Sequence, residues 1–332
     1  VCSICAIQQM RGDMSFHNLF FRAIDFLYES RQNRRRCTRF VGVKFDIFSD
    51  IVYSDADPEI CKLDIYRPGF GDGTRNEYEG ERYFAKLPVI FYLHGGGFEA
   101  GDKFHRRALS RWLATLGYAV VNVNYGLAPK CKFPAQHRQI AAALNFVSQN
   151  AQKYGLDLSR IVVAGDSAGA YYASALACIC NEPDIQQKLG VSTILKFGAA
   201  ILNCGVYDMH MLATKKMIFS LGRHVFEDTT GGGPEDIEKY KWKELCNVPS
   251  LVTPDFPPSL VIYSCRDILC KDQHTALLPA LKNCGVPFSE FSSVRLKDNH
   301  CFSLMWKGKA ARQVNELIAQ FLTKFKEGEF TV

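Results

Sequence analysis

No run of 18 or more apolar residues occurs in the 332-residue chain, so nothing in it reads as a membrane-spanning helix. Nor is there a large excess of charge of one sign. The formal net charge is +6, and 22% charged with 47% hydrophobic residues excludes disorder and leaves ample apolar material for a core. The one dense basic cluster, RQNRRR at Arg31 to Arg36, lacks the interleaved aromatics of a nucleic-acid groove. It reads as a solvated helix end, and no nucleic-acid partner is expected. Cys2 and Cys5 form a lone CxxC with no second pair and no histidine at finger spacing, so no metal site is expected. The chain does not open on a charged segment followed by an apolar one, so no signal peptide is visible. What is plentiful is cysteine. The thirteen are odd in number and scattered, with Cys265, Cys270, Cys284 and Cys301 inside regular segments. That favours free thiols in a reducing compartment over a disulfide framework, and the expected location is cytoplasmic.

From about Pro88 onward, short apolar runs alternate with longer amphipathic ones. Pro88 to His94, Tyr118 to Tyr125, Arg160 to Asp166, Lys196 to Asn203 and Ser259 to Ser264 are too continuously apolar for an exposed sheet, which predicts central parallel strands covered on both faces. Helical spacing joins Ile140, Leu144 and Val147, and again Val314, Leu317, Ile318, Phe321 and Phe325. The pattern is that of an α/β fold with a mostly parallel sheet. Phe40 to Ser49 and Cys61 to Pro68 alternate in polarity and suit an antiparallel edge, while Gly69 to Tyr83 reads as an exposed hairpin or loop. Two segments break the rhythm. Residues 1–38 are helical in pattern, with Phe20, Phe21, Ile24, Phe26 and Leu27 as the expected apolar face; residues 206–257 insert about fifty residues between two strands.

One hydroxyl sits on a sharp corner of this pattern. GDSAG, Gly165 to Gly169, follows a buried strand and opens a helix-compatible segment, a context in which Ser167 projects from the sheet edge. A helix start there favours negative charge. A second glycine-rich turn, HGGGF at His94 to Phe98, follows another buried strand. There the backbone N–H groups of Gly96 and Gly97, with that of Ala168, are candidate donors to an oxyanion. His94 reads as a brace for that loop rather than as a base. A serine nucleophile needs a base and an acid further along the chain, in that fold in the order serine, acid, histidine. His300 lies in a polar loop after the expected last strand, Val286 to Val294, and Asp267 lies just beyond a strand end. His274 reads as a helix-surface residue, Asp272 as a helix cap, and Asp298 as too close to His300 in sequence to orient it.

These motifs together, with the stretch YGLAPKCKFPAQ at Tyr125 to Gln136, resemble the hormone-sensitive-lipase-like branch of the α/β-hydrolase fold. The resemblance runs from about Cys61 to the C-terminus. It implies a carboxylic-ester hydrolase without cofactor, with triad Ser167, Asp267 and His300, oxyanion donors Gly96, Gly97 and Ala168, and a helical cap. The organisation it implies is residues 1–38 as N-terminal cap helices, 39–205 and 258–332 as the catalytic domain, and 206–257 as a cap insertion. Three positions depart from the family pattern: Gly126 and Lys130 replace arginine and glutamate, Ala170 replaces a second elbow glycine, and Cys301 replaces the glycine after the histidine.

The expected reaction is hydrolysis of short-chain esters, acetyl to about hexanoyl, through an acyl-enzyme. Amide or formamide hydrolysis and sugar deacetylation use the same triad and stand as alternatives; a non-enzymatic receptor on this fold, in which the triad is broken, is disfavoured because Asp267 and His300 both stand in suitable loops. Phe219, Phe226, Tyr240 and Trp242 either line a substrate pocket or pack the lobe's own core. The oligomeric state stays open, edge-strand pairing into a homodimer being one form such sheets take.

Overall fold

Alternate residues along the central strands enter different cores. In a computed structural model, which describes residues 16–28, 43–69, 76–78, 81–217 and 220–329, strand β5 (Leu87–Leu93) sends Val89, Phe91 and Leu93 to one face of the sheet and Ile90 and Tyr92 to the other. This period of two, with both faces apolar, is what a strand covered by helices on both sides requires. On the first face lie α3 (Ala135–Gln149) and α4 (Ala168–Asn181). On the second lie α2 (Arg107–Thr115) and α9 (Lys309–Glu327), the latter burying Val314, Ile318, Phe321 and Leu322 at helical spacing.

The main sheet has eight strands in the order β1-β2-β6-β5-β7-β8-β9-β10. The edge pair β1 (Phe45–Val52) and β2 (Lys62–Pro68) is antiparallel, as its alternating polarity predicts. Strands β6 (Ala119–Val123), β7 (Leu156–Asp166), β8 (Ala199–Asn203), β9 (Ser259–Ser264) and β10 (Phe288–Ser293) run parallel with β5. A separate hairpin, β3 (Asn76–Tyr78) with β4 (Glu81–Tyr83), occupies the expected loop. After β5 the chain moves to one side to form β6; it then returns to β5's other side as β7. The connections from β5 and β7 therefore diverge and leave a crevice at their C-terminal ends, where open α/β sheets bind ligands.

Described residues from both segments that broke the sequence rhythm, within 16–28 and 212–225, line this crevice. Helix α1 (Phe16–Tyr28) buries Phe21, Asp25 and Tyr28. Phe26 and Leu27, expected on its apolar face, are 72% and 54% exposed, because the buried stripe runs through positions 21, 25 and 28 instead. Between β8 and β9 the described residues form α6 (Met209–Thr214), α7 (Leu221–Thr230) and three short 3₁₀ turns, and α5 (Pro183–Leu189) and α8 (His274–Asn283) complete the described helices. No described helix is long and apolar enough to cross a membrane. The ten cysteines among the described residues are all free. Cys2, Cys5 and the basic cluster at 31–36 lie outside the described residues.

Helix α4 seats directly on the end of β5, where a Cβ at Gly169 would collide with the carbonyls of Leu93 and His94. Gly169→Ala is expected to lose about 1–3 kcal/mol in equilibrium urea unfolding. Gly232→Ala, whose Cβ meets nothing within 4 Å, is expected to stay within about 0.5 kcal/mol of the parent.

Candidate active site

Ser167 follows β7 and caps the start of α4 with φ +54° and ψ −122°, a strained conformation for a residue with a side chain. The neighbouring glycines permit it: a Cβ at Gly165 would strike the Gly169 backbone. The hydroxyl reaches His300, with Oγ to Nε2 at 2.9 Å. His300 Nδ1 lies 2.8 Å from Asp267 Oδ2 and 3.0 Å from Oδ1. Asp267 also accepts hydrogen bonds from the N–H groups of Leu269 and Cys270, each at 2.8 Å. Burial raises the pKa of this carboxyl, but the facing imidazole and these donors outweigh it, so Asp267 titrates below its ordinary range. The carboxylate thus orients the ring so that Nε2 faces the hydroxyl, which equips the trio for proton transfer from Ser167.

The glycine turn after β5 lies alongside. Gly96 (φ +136°) and Gly97 (φ +62°) take backbone angles that a side chain resists, and Gly97 has the Phe21 ring where its Cβ would be. Among the described residues, no backbone acceptor takes the N–H of Gly96, Gly97 or Ala168. Gly96, Gly97, Ser167 and His300 line one small cavity of ≈ 10 Å³. His94 is buried, stacks on Tyr125 at 4.5 Å and bonds Gly95 O through Nδ1 at 2.9 Å. It braces the loop, as its sequence context suggests.

Arg106, at the start of α2 and 2% exposed, ties these pieces to α1. Its guanidinium donates to Asp166 at 2.8 and 2.7 Å and to Asp25 at 3.1 Å. Tyr92 donates to the same Asp166 carboxylate at 2.7 Å, and the Tyr28 hydroxyl donates to His300 O at 3.4 Å. Burial opposes charge on both acids. At Asp166 the arginine outweighs burial and the pKa is lowered, whereas at Asp25 burial prevails and it is raised. Sequence reading offered Asp166 only an unspecified structural role and missed Arg106, Asp25 and Tyr28. The available signal was an acid, Asp25, at the i+4 position from Phe21 on the buried stripe of α1.

A second, narrow cavity of ≈ 20 Å³ extends from Ser167 beneath the insert and is lined by Phe21, Leu212, Met217, Leu221, Val225 and Leu269, with Cys270 also on its wall. Of the aromatic candidates for this wall, Phe226 and Trp242 pack elsewhere. Helix α7 turns Leu221 and Val225 to the cavity and Phe226 into the core, while Trp242 joins Ile179, Leu189 and Leu245 against the ends of α4 and α5. Tyr240 hydrogen-bonds Phe133 O, and Phe219 lies outside the described residues. Donor atoms of Asp267, Cys270 and His300 fall within 4.8 Å of one another, a trio with metal-ligating chemistry whose imidazole and carboxylate are committed to the hydrogen bonds above.

The remaining sequence-level candidates take other roles. Asp272 pairs with Lys215 at 2.7 Å instead of capping α8 through its side chain. Asp298 accepts from Ser293 at 2.8 Å, and His274 stacks on Tyr263 at 3.8 Å. The departures also have physical correlates. Cys301 has φ +46°, a left-handed position where glycine is unstrained. Gly126 abuts Cys131 and Gln139 and leaves no space for a side chain in this arrangement.

A mostly parallel sheet with a serine elbow at its switch point defines an α/β-hydrolase fold. Esterase B from Lactobacillus Rhamnosis (HN001) superposes with a TM-score of 0.72 at 24% identity, over 94% of this chain and 97% of that one. A bacterial heroin esterase gives 0.66 at 22% identity, over 88% and 87%. The BD-FAE family profile matches residues 78–281, and the chain belongs to that family. Curated relatives include bovine (Bos taurus) arylacetamide deacetylase, 42% identical over 112 residues, covering 32% of this chain and 28% of the relative. Human (Homo sapiens) arylacetamide deacetylase-like 2 is 40% identical over 190 residues, covering 50% and 46%. The chain thus matches under half the length of each.

Two outcomes test the electrostatics. Arg106→Met strands two buried acids and is expected to lose about 3–5 kcal/mol in urea unfolding, part of which returns when Asp25→Asn is added. Glu99, 2% exposed, is pushed up to about 7 from 4.5 by burial and then by Asp228. The folded chain therefore holds a proton that the unfolded chain releases, and this group's cost to stability grows as pH rises through that window. Glu99→Gln should raise the thermal midpoint over the parent at about pH 8, with the gap closing at about pH 4.

Proposed function

We propose that the protein is a serine esterase hydrolysing short-chain carboxylic esters, acetyl to about hexanoyl. The observation that carries this reading is the continuous chain Ser167–His300–Asp267, at 2.9 and 2.8 Å, facing the open N–H groups of the glycine turn. Ser167 Oγ attacks the ester carbonyl as His300 takes its proton; the oxyanion is held by the N–H groups of Gly96, Gly97 and Ala168. His300 then protonates the departing alcohol. Water, deprotonated by His300, attacks the acyl-serine and releases the acid. Asp267 keeps the imidazole oriented and balances its charge. Residues 1–38 and 206–257 act as the cap over a catalytic domain formed by 39–205 and 258–332.

The narrow apolar cavity beside Ser167, ≈ 20 Å³, supports the short acyl range. Its apolar wall argues against acetylated sugars as the preferred substrates. Aryl amides form a second reading, favoured by the arylacetamide deacetylases among the relatives and served by the same triad.

Ser167→Ala is expected to reduce kcat on p-nitrophenyl acetate by on the order of 10⁴-fold or more, and retention of the parent rate would sink the assignment. With the parent enzyme, kcat/KM on p-nitrophenyl esters should drop about tenfold beyond hexanoyl. Side-by-side rates on aryl acetates, N-acetyl and N-formyl arylamines and acetylated sugars rank the two readings.

A further inference from the structure

Two loops beside the site carry cations and uncovered aliphatic side chains together. Residues 265–271 follow β9 and residues 294–297 follow β10, and hydrogen bonds hold them side by side. Cys265 N donates to Ser293 O at 2.8 Å, Arg266 Nε donates to Val294 O at 3.3 Å, and Ile268 N donates to Asn299 Oδ1 at 3.0 Å. Lys215 joins them by donating to Lys271 O at 2.8 Å. Arg266, Lys271, Arg295 and Lys297 are exposed, as is Lys216. Among the described residues Asp272 is the acid paired with this group, at 2.7 Å from Lys215. Between the cations stand Ile268, Val294 and Leu296, which are 56%, 68% and 80% exposed.

We propose that this face docks on an anionic lipid surface, the cations meeting the headgroups while Val294 and Leu296 insert between them. Charge complementarity selects the occupant's sign. The aliphatic side chains select a surface with an apolar layer beneath its charge, since interfacial binding combines electrostatic attraction with burial of apolar area. A purely polar anionic partner leaves those side chains in water. Lys215, Lys216, Arg266 and Lys271 also border an open cleft of ≈ 340 Å³, and Leu212, Met217 and Leu269 line both this cleft and the cavity at Ser167. The docking face and that cavity are thus adjacent, although docking does not depend on the chemistry proposed for Ser167.

Sedimentation of the full chain with vesicles tests this. Binding to phosphatidylcholine vesicles containing about 30% phosphatidylserine is expected to be about tenfold or more tighter than to phosphatidylcholine alone, and to weaken several-fold at about 0.5 M NaCl. Lys271→Glu with Lys297→Glu should weaken it about tenfold or more; Lys271→Gln with Lys297→Gln serves if the reversed pair lowers the thermal midpoint. Val294→Ser with Leu296→Ser preserves every charge and should weaken binding about threefold or more. Equal binding to both vesicle types overturns the proposal. So does unchanged binding by the serine pair together with equally tight binding of poly-aspartate, which would assign the face to an acidic protein.

Discussion

The left-handed turn at Ser167 is the constraint on which the rest of the structure depends. A strand buried on both faces must stop and a helix must start within a single residue, and the backbone does this only with no side chains at Gly165 and Gly169. That compression presses α4 onto the ends of β5 and β7 and brings the glycine turn of residues 95–97 beside the serine. The strain sits where the sheet's strand order reverses, so the crevice and the hydroxyl coincide. Strain of this kind, of order 1–3 kcal/mol, persists only because the surrounding core leaves no alternative.

Around that turn the structure spends polar contacts where a solvent-filled cleft would need none. Arg106 between Asp25 and Asp166 is a buried charge arrangement of net sign −1 when both acids are ionised, and the opposite directions of the two carboxyl pKa values reflect one guanidinium serving two partners. Such groups add little stability compared with an apolar replacement, yet they specify geometry once in place. Here the geometry specified is the position of α1, whose Phe21 borders both cavities and whose Tyr28 reaches the histidine loop.

Local pattern carried much of this into the sequence. Continuous apolar runs read as central strands because both faces of the sheet are covered, and GDSAG read as an elbow because glycine spacing and strand context act within five residues. Asp267 and His300 were legible through chain order and loop placement. The Arg106 bridge was not, since its partners are 60 and 81 positions away and nothing local marks a charge for burial. The stripe on α1 was misread for a related reason: Phe26 and Leu27 are apolar by type, and only packing against the crevice reveals which helical face is covered. The aromatic residues of the insert posed the same problem, because residue type cannot separate a cavity wall from a core.

Tyr28 and His300 meet across 272 positions of chain. During synthesis the elbow and glycine turn emerge with α1 already made, but the loop that supplies the histidine comes some 130 residues after the serine, separated by 133 positions. A ribosome-bound chain that stops short of His300 therefore carries the serine without its base. The arrangement that joins the two distant ends of the described chain also delays the reactive geometry until translation has passed the last strand.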